Sequence, residues 1–363
     1  MLFRSRILFL VTSLYGGGAE RVCCILANEM AKKYDVGIVT VFDSGGEYPL
    51  DPSIKRYFVP WGVTDKFDIY HRLRRLAGRI RAFRRIKKEF RPDISIAFLR
   101  PMCQINALSR YHDRIVSCER ANPLKFETEA FPLTKRIYAI SDCVVFQSET
   151  VRSIFGKRVR DRSVILPNPV NVPVTASAER KKRIVTMGRL VEQKNHMMLL
   201  EAFAGFRRDH PDYTLSIYGE GELRGKLEER IRALGLEGLA ILEGNHTDVH
   251  ERIRDAEFFV LSSDFEGLSN ALLEAMMMGI AVISTRCEGS SDVVKDMENG
   301  ILVDIGDTKG LETAMRKMAD DAALRKSMEE RCLKDSEIFR TENAVRQWEK
   351  MIDDVCSGKN IRL

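Results

Sequence analysis

No apolar run in this 363-residue chain approaches the roughly 20 residues that a membrane-spanning helix requires. The longest near the start, Ile7 to Val11, weakens by Leu14, and no small-residue cleavage pattern follows it. The expectation is a protein without a spanning segment or signal peptide, working in the cytosol. Paired cysteines are also missing. The eight cysteines, at 23, 24, 103, 118, 143, 287, 332 and 356, show no C-x-x-C spacing, and no histidine cluster accompanies them. That excludes a zinc or disulfide framework and leaves buried free thiols. There is no internal repeat and no low-complexity tract. The triplet Gly16-Gly17-Gly18 is not a G-x-G-x-x-G with an acid closing the second strand, so it is not read as a dinucleotide site. It also lacks the Lys-Ser/Thr of a P-loop. No nucleic-acid motif with interleaved aromatics is present, which excludes nucleic acid as the expected partner.

What is present suits two domains. The length is comfortable for a pair, and 44% apolar residues suffice for a packed core in each. The net charge of +6 hides an asymmetry: residues 1–165 carry 30 Lys/Arg against 17 Asp/Glu, and residues 166–363 carry 28 against 35. A basic half joined to an acidic half points the first half towards something anionic. Much of the excess lies in Arg72–Arg91, with ten basic residues and one acid, Glu89. Ile69, Leu73, Leu76, Ile80, Phe83 and Phe90 recur there at helical spacing, so one face packs and the other carries charge. A solvated helix satisfies this pattern, and so does docking on the anionic inner face of a cell membrane.

Short, nearly continuous apolar runs alternate with amphipathic stretches along the whole chain. Strands are expected at Ile7–Val11, Val36–Val41, Ile94–Phe98, Ile115–Cys118, Cys143–Phe146 and Val164–Leu166, then at Ile184–Met187, Leu215–Tyr218, Ile241–Leu242, Phe258–Leu261, Ala281–Ser284 and Ile301–Val303. Runs of this kind are strands covered on both faces, and the alternation is that of parallel α/β sheets. The expected fold is two Rossmann-like domains, 1–166 and 167–341, facing each other across a cleft. Pro167-Asn168-Pro169 marks the boundary, with a polar linker over Thr175–Lys182. A final helix, about 342–357, has an apolar stripe of Val345, Trp348, Ile352 and Val355 and is expected to pack back on one of the domains. Ligands of such sheets bind outside the carboxyl ends of the strands.

Three segments carry chemistry, each directly after a strand. In Ser262-Ser263-Asp264-Phe265-Glu266-Gly267-Leu268-Ser269, a loop leads into a helix whose unpaired N–H groups suit a phosphate. Glu274 lies eight residues beyond Glu266, about two helical turns on, placed for ribose hydroxyls while Glu266 reaches a sugar. A bare pair at this spacing more often marks two surface glutamates on a core helix. Gly188-Arg189-Leu190-Val191-Glu192-Gln193-Lys194 ends a strand with a glycine and supplies two cations that suit a diphosphate, as an alternative to a solvated basic loop. Two such cations and a helix N-terminus can replace a metal ion in stabilising a diphosphate leaving group. Tyr218-Gly219-Glu220-Gly221 allows a close backbone approach or a tight turn.

Together, "GRLVEQKN", "LSIYGEGEL", "FVLSSDFEGLSNALLEAMMMGIAVIST" and "NGILVDIGD" resemble the C-terminal domain of glycosyltransferase family 4, a GT-B family, over roughly 183–306. The resemblance implies a retaining, metal-independent glycosyltransferase using a nucleotide-diphosphate sugar, with no bound cofactor. Arg189 and Lys194 would hold the diphosphate, Glu274 the ribose, and Glu266 the donor sugar. Gly188, Gly219, Gly267, Leu268 and Ser269 would line the nucleotide, and Gly17 and Gly18 of "ILFLVTSLYGGGAERVCCILANEM" would lie near its phosphates. Many family members carry a histidine midway through the N-terminal domain. Here Ser117-Cys118-Glu119-Arg120-Ala121-Asn122-Pro123 stands instead, resembling a subset of the family, with Glu119 or Arg120 towards sugar or acceptor, or else forming a strand-end salt bridge. His246, in "GNHTDVHERI", suits the base or phosphate side, or a loop cap. The expected donor is a UDP-sugar, with GDP next, and the acceptor a glycan or lipid-linked glycan in cell-surface polysaccharide synthesis. A sugar-nucleotide epimerase of the same fold and a non-catalytic nucleotide-sugar-binding protein are the rival readings.

Overall fold

A computed structural model describes residues 5–15, 17–43, 47–61, 69–120, 131–172 and 178–359. Gly16, Asn122, Pro123 and the start of the Thr175–Lys182 linker lie outside the described residues. The chain forms two compact units, residues 1–169 with 341–363, and residues 170–340.

The first unit runs β1 (Arg6–Leu10), α1 (Gly18–Ala31), β2 (Asp35–Thr40), β3 (Lys55–Phe58), α2 (Ile69–Phe90), β4 (Ile94–Phe98), α3 (Arg100–Leu108), β5 (Arg114–Cys118), α4 (Phe131–Ile140), β6 (Cys143–Phe146), α5 (Glu149–Ser153), α6 (Lys157–Arg160) and β7 (Ser163–Ile165). Its strands are parallel, in the order β3-β2-β1-β4-β5-β6-β7. The period of two along β1 sends Ile7 and Phe9 into one core layer and Leu8 and Leu10 into the other. The sequence shows no apolar run at β3 because it is an edge strand whose residues are exposed or half-buried.

The second unit runs β8 (Lys181–Met187), α7 (His196–Phe206), β9 (Thr214–Tyr218), α8 (Arg224–Ala233), β10 (Ala240–Gly244), α9 (Val249–Ile253), β11 (Ala256–Leu261), α10 (Asn270–Met277), β12 (Ala281–Thr285), α11 (Glu288–Val293), β13 (Gly300–Val303), α12 (Thr308–Asp320) and α13 (Ala322–Ser336). Its sheet is also parallel, in the order β10-β9-β8-β11-β12-β13. Chain order reverses between β8 and β11, so the loops leaving their carboxyl ends diverge and leave room for a ligand.

The last helix, α14 (Thr341–Cys356), belongs to the first unit. Its Val345, Trp348, Met351, Ile352 and Val355 join the core layer of Ile7 and Phe9. Trp348 stacks on Phe98 at 6.0 Å and donates its indole N–H to the Pro167 carbonyl at 3.3 Å.

Helix α2 departs from the amphipathic expectation at two places. Leu76, expected on the packed face, is exposed. Lys87, expected among the surface charges, is fully buried. Its ammonium pairs with Asp113 at 2.7 Å and donates to Asn106 Oδ1 at 2.7 Å and to Ser95 at 3.3 Å. A buried charge persists only when its donors are satisfied in this way. Among the described residues, no helix is long and apolar enough to cross a membrane.

Candidate functional site

The second unit's loops after β8 and β11 are tied together by hydrogen bonds. Met187 ends β8, and residues 188–195 follow as a turn closed by the 3-10 segment Glu192–Lys194. Asn195 adopts the left-handed conformation at φ 44°, caps α7 by accepting from Met198 N–H at 3.3 Å, and donates to Asp264 Oδ1 at 2.8 Å. Its short polar side chain suits both tasks. Asp264 N–H donates to the Gln193 carbonyl, Gln193 Nε2 to the Phe265 carbonyl and Ser262 Oγ to the Lys194 carbonyl, all at 2.9 Å.

This framework fixes the pair at its centre. Lys194 Nζ meets Glu266 Oε1 at 2.5 Å, and Ser263 Oγ donates to the same oxygen at 2.9 Å. Both side chains are largely buried, 13% and 10% exposed, so the pair is little screened by water. The Lys194 stem crosses Gly188, where a Cβ would stand 3.0 Å from its Cε. Arg189 is exposed and its side chain pairs with no described residue. Gly267, Leu268 and Ser269 lead into α10, where Ser269 caps the helix by accepting from Leu272 N–H at 3.4 Å. The positive end of α10 therefore opens beside Glu266.

Glu274 is held differently. It is buried on α10, and its Oε2 lies 2.9 Å from His250 Nε2 on α9. The sequence points to His246 and gives no sign of His250, since nothing in the spacing links a histidine and a glutamate 24 positions apart. His246 Nε2 lies 2.9 Å from the Glu243 carbonyl and its ring stands edge-on to Tyr218, a local arrangement at the end of β10.

The glycines after β9 serve backbone contact. Gly219 has φ +145°, and a Cβ there would stand 2.0 Å from the Gly188 carbonyl oxygen. Gly221 approaches the Leu190 backbone in the same way. Gly289, which no motif signalled, lets α11 reach within contact of the Gly267 carbonyl. His196, the first residue of α7, is 2% exposed, and among the described residues neither ring nitrogen has a well-formed hydrogen-bond partner. Burial first, and the neighbouring Lys194 second, push its pKa down to about 4. Burial raises the Cys287 thiol, and Glu266 adds to the shift.

In the first unit, Gly17 caps α1 and Gly18 opens it. The Glu20 carboxylate folds back over Gly17 and accepts from Thr12 Oγ1 at 3.1 Å, so α1's positive end already faces an acid. Glu119 is buried at the end of β5 and accepts from Arg100 Nε and the Tyr138 hydroxyl, each at 3.1 Å. Arg120 lies over the Phe98 ring at 4.7 Å and donates to Asn168 Oδ1 at 2.6 Å. Burial pushes the Arg120 pKa down. Among the described residues, no group of three or more His, Cys, Asp or Glu is placed to hold a metal ion.

The chain matches known proteins along most of its length. Residues 16–173 match the family model for Glycosyltransferase Family 4, and residues 169–335 match that for Glycosyl transferases group 1. An alpha-1,4-N-acetyl-D-galactosaminyltransferase of Campylobacter jejuni, whose name gives an undecaprenol-linked glycan as acceptor, is 26% identical over 96% of this chain and 99% of its own. LpsE of Rhizobium meliloti, a lipopolysaccharide core biosynthesis glycosyltransferase, is 35% identical over 46% of this chain and 45% of its own. Among solved structures, Anabaena HepE in complex with UDP and glucose superposes with a TM-score of 0.79 at 16% identity, covering 96% of this chain and 99% of that one.

Proposed function

The chain belongs to glycosyltransferase family 4 and has the GT-B fold, and from that premise we propose that it is a retaining, metal-independent transferase of a hexosyl or N-acetylhexosaminyl unit. The donor is a nucleotide-diphosphate sugar, a UDP-sugar first and a GDP-sugar next. The acceptor is a hydroxyl of a glycan or lipid-linked glycan in cell-surface polysaccharide synthesis. The observation that carries this reading is the Lys194–Glu266 pair at the carboxyl ends of β8 and β11, beside the N-terminus of α10.

That arrangement supplies what a departing diphosphate needs. Lys194 and the exposed Arg189 present cations, and the first N–H groups of α10 present aligned dipoles. Charge builds on the leaving phosphate oxygen as the anomeric C–O bond breaks, so these groups stabilise the transition state more than the ground state. The acceptor oxygen bonds to the anomeric carbon from the same face, and its proton passes to the leaving oxygen. Glu266 already accepts from Lys194 and Ser263. A carboxylate so engaged is a weak nucleophile, which favours front-face displacement over a covalent intermediate. Its role is to aim the Lys194 ammonium and to meet the donor sugar. The lipid-linked acceptor of the Campylobacter relative supports a membrane-borne substrate. The exposed Arg74, Arg81, Arg84, Arg85, Lys88 and Arg91 give the first unit a surface suited to anionic lipid.

The test is a transfer assay with UDP- and GDP-sugars and undecaprenyl-diphosphate glycans in the presence of EDTA. Product anomeric configuration is read by NMR. Activity in EDTA with retained configuration is expected. An inverted product, or activity that EDTA abolishes, contradicts the proposal. Sugar interconversion without any acceptor would point to the epimerase instead.

A further inference from the structure

We propose that His250 is a positioning residue that sets the protein's preference for ribonucleotides over deoxyribonucleotides, by orienting the Glu274 carboxylate. This rests on the donor-site reading above. The two carboxylates of the Glu266–Glu274 pair are held by unlike partners. Glu266 meets a full cation, Lys194, whereas Glu274 meets an imidazole at 2.9 Å. A carboxylate only accepts, so the proton of that contact sits on His250 Nε2. An N–H donor held at hydrogen-bond distance from one carboxylate oxygen fixes the plane of the whole group. A carboxylate whose plane is fixed presents its acceptor lone pairs to a ribose diol in one orientation.

The setting makes the orientation matter. Glu274 is 3% exposed, and the His250 side chain is 13% exposed. The two are carried on separate elements, α9 and α10, and both helices contribute to one core layer through Val249, Ile253, Leu272 and Ala275. The pair is therefore held by packing as well as by the hydrogen bond. Glu274 lies five residues past the Ser269 cap, about 7.5 Å along the helix axis. A diphosphate at the N-terminus of α10 thus leaves its ribose near the second turn. Rotation of the carboxylate there redirects its acceptor without moving the phosphates.

The experiment is calorimetric titration of the full chain with UDP, 2′-deoxy-UDP, GDP and 2′-deoxy-GDP. Wild type is compared with His250→Ala and His250→Gln, and each variant's melting temperature is recorded. Wild type should bind its preferred ribonucleotide on the order of tenfold more tightly than the deoxy form, the ratio one charge-assisted hydrogen bond gives. His250→Ala should bring that ratio close to one, mainly by weakening the ribonucleotide. His250→Gln, whose Nε2 can occupy the imidazole Nε2 position, should restore most of it. An unchanged ratio in folded His250→Ala overturns the inference and leaves the donor site standing. Equal loss in both variants also overturns it, since ring packing and not the donor would then matter. Wild type that binds none of the four overturns the donor-site reading together with this one.

Discussion

Lys194 is where the electrostatics of the second unit meet. Its ammonium pairs with Glu266, its stem covers Gly188, and its charge adds to the depressed pKa of His196. Replacing Lys194 or Arg189 by Ala should lower kcat/KM on the order of 10²-fold or more, the loss typical of removing one preorganised charge stabiliser. Steady-state kinetics check this, and unchanged rates in both variants contradict the diphosphate role. Gly219→Ala should destabilise by roughly 1–3 kcal/mol or more in a denaturant melt, because both its φ and the Gly188 carbonyl reject a Cβ. His196 gives a pH prediction. Its folded pKa of about 4 lies below the ordinary 6.5, so the unfolded chain binds the extra proton between those values. Stability from this group is complete above pH 6.5 and is lost as pH falls towards 4, by on the order of 3 kcal/mol. His196→Phe should flatten that acid limb of the stability profile. At this scale Arg189, Lys194 and Glu266 are visible in the sequence as candidates because each stands in a loop after a strand, and Glu274 because it follows Glu266 by eight residues, about two turns on. That Lys194 meets Glu266 across 72 positions, or that His250 meets Glu274, is tertiary and has no local signal.

The strands were legible wherever both faces are covered, because burial on both sides forces a continuous apolar run. β3 escaped because an edge strand faces water and its Lys55-Arg56-Tyr57-Phe58 reads as a polar loop. The sequence marks α2 as a helix but puts Leu76 on the packed face and Lys87 on the charged one, the reverse of where they lie. A charge count cannot tell a solvated lysine from one pinned by Asp113. Lys87→Met alone should destabilise by roughly 3–5 kcal/mol, since it strands a buried carboxylate. The double variant Lys87→Met, Asp113→Leu should recover much of that loss, and a double-mutant cycle in urea measures the coupling. Trp348→Ala should cost about 3–5 kcal/mol, removing a fully buried indole that stacks on Phe98. Loss of that size confirms α14 as part of the first unit's core, whereas a change within the error of the melt contradicts it.

At the scale of the whole chain, the charge divides between the halves as the folded units do, and Arg79 shows how part of it is used internally. Its guanidinium lies 3.8 Å from the Trp61 ring and donates to the Trp61 carbonyl. The remaining exposed arginines of α2 should bind vesicles containing phosphatidylglycerol but not neutral ones, with binding that weakens as salt rises. Co-sedimentation checks this, and Arg81→Glu with Arg84→Glu should abolish it. The measurement that bears most directly on the donor site is a thermal-shift panel of UDP, GDP, ADP and CDP, each with Mg²⁺ and with EDTA, on wild type and Lys194→Ala. A ligand at 100 times its Kd adds about 2.7 kcal/mol, enough to move the midpoint by several degrees. The expected result is a shift with one nucleoside diphosphate that survives EDTA and disappears in Lys194→Ala. No shift with any diphosphate, or one that EDTA abolishes, contradicts it.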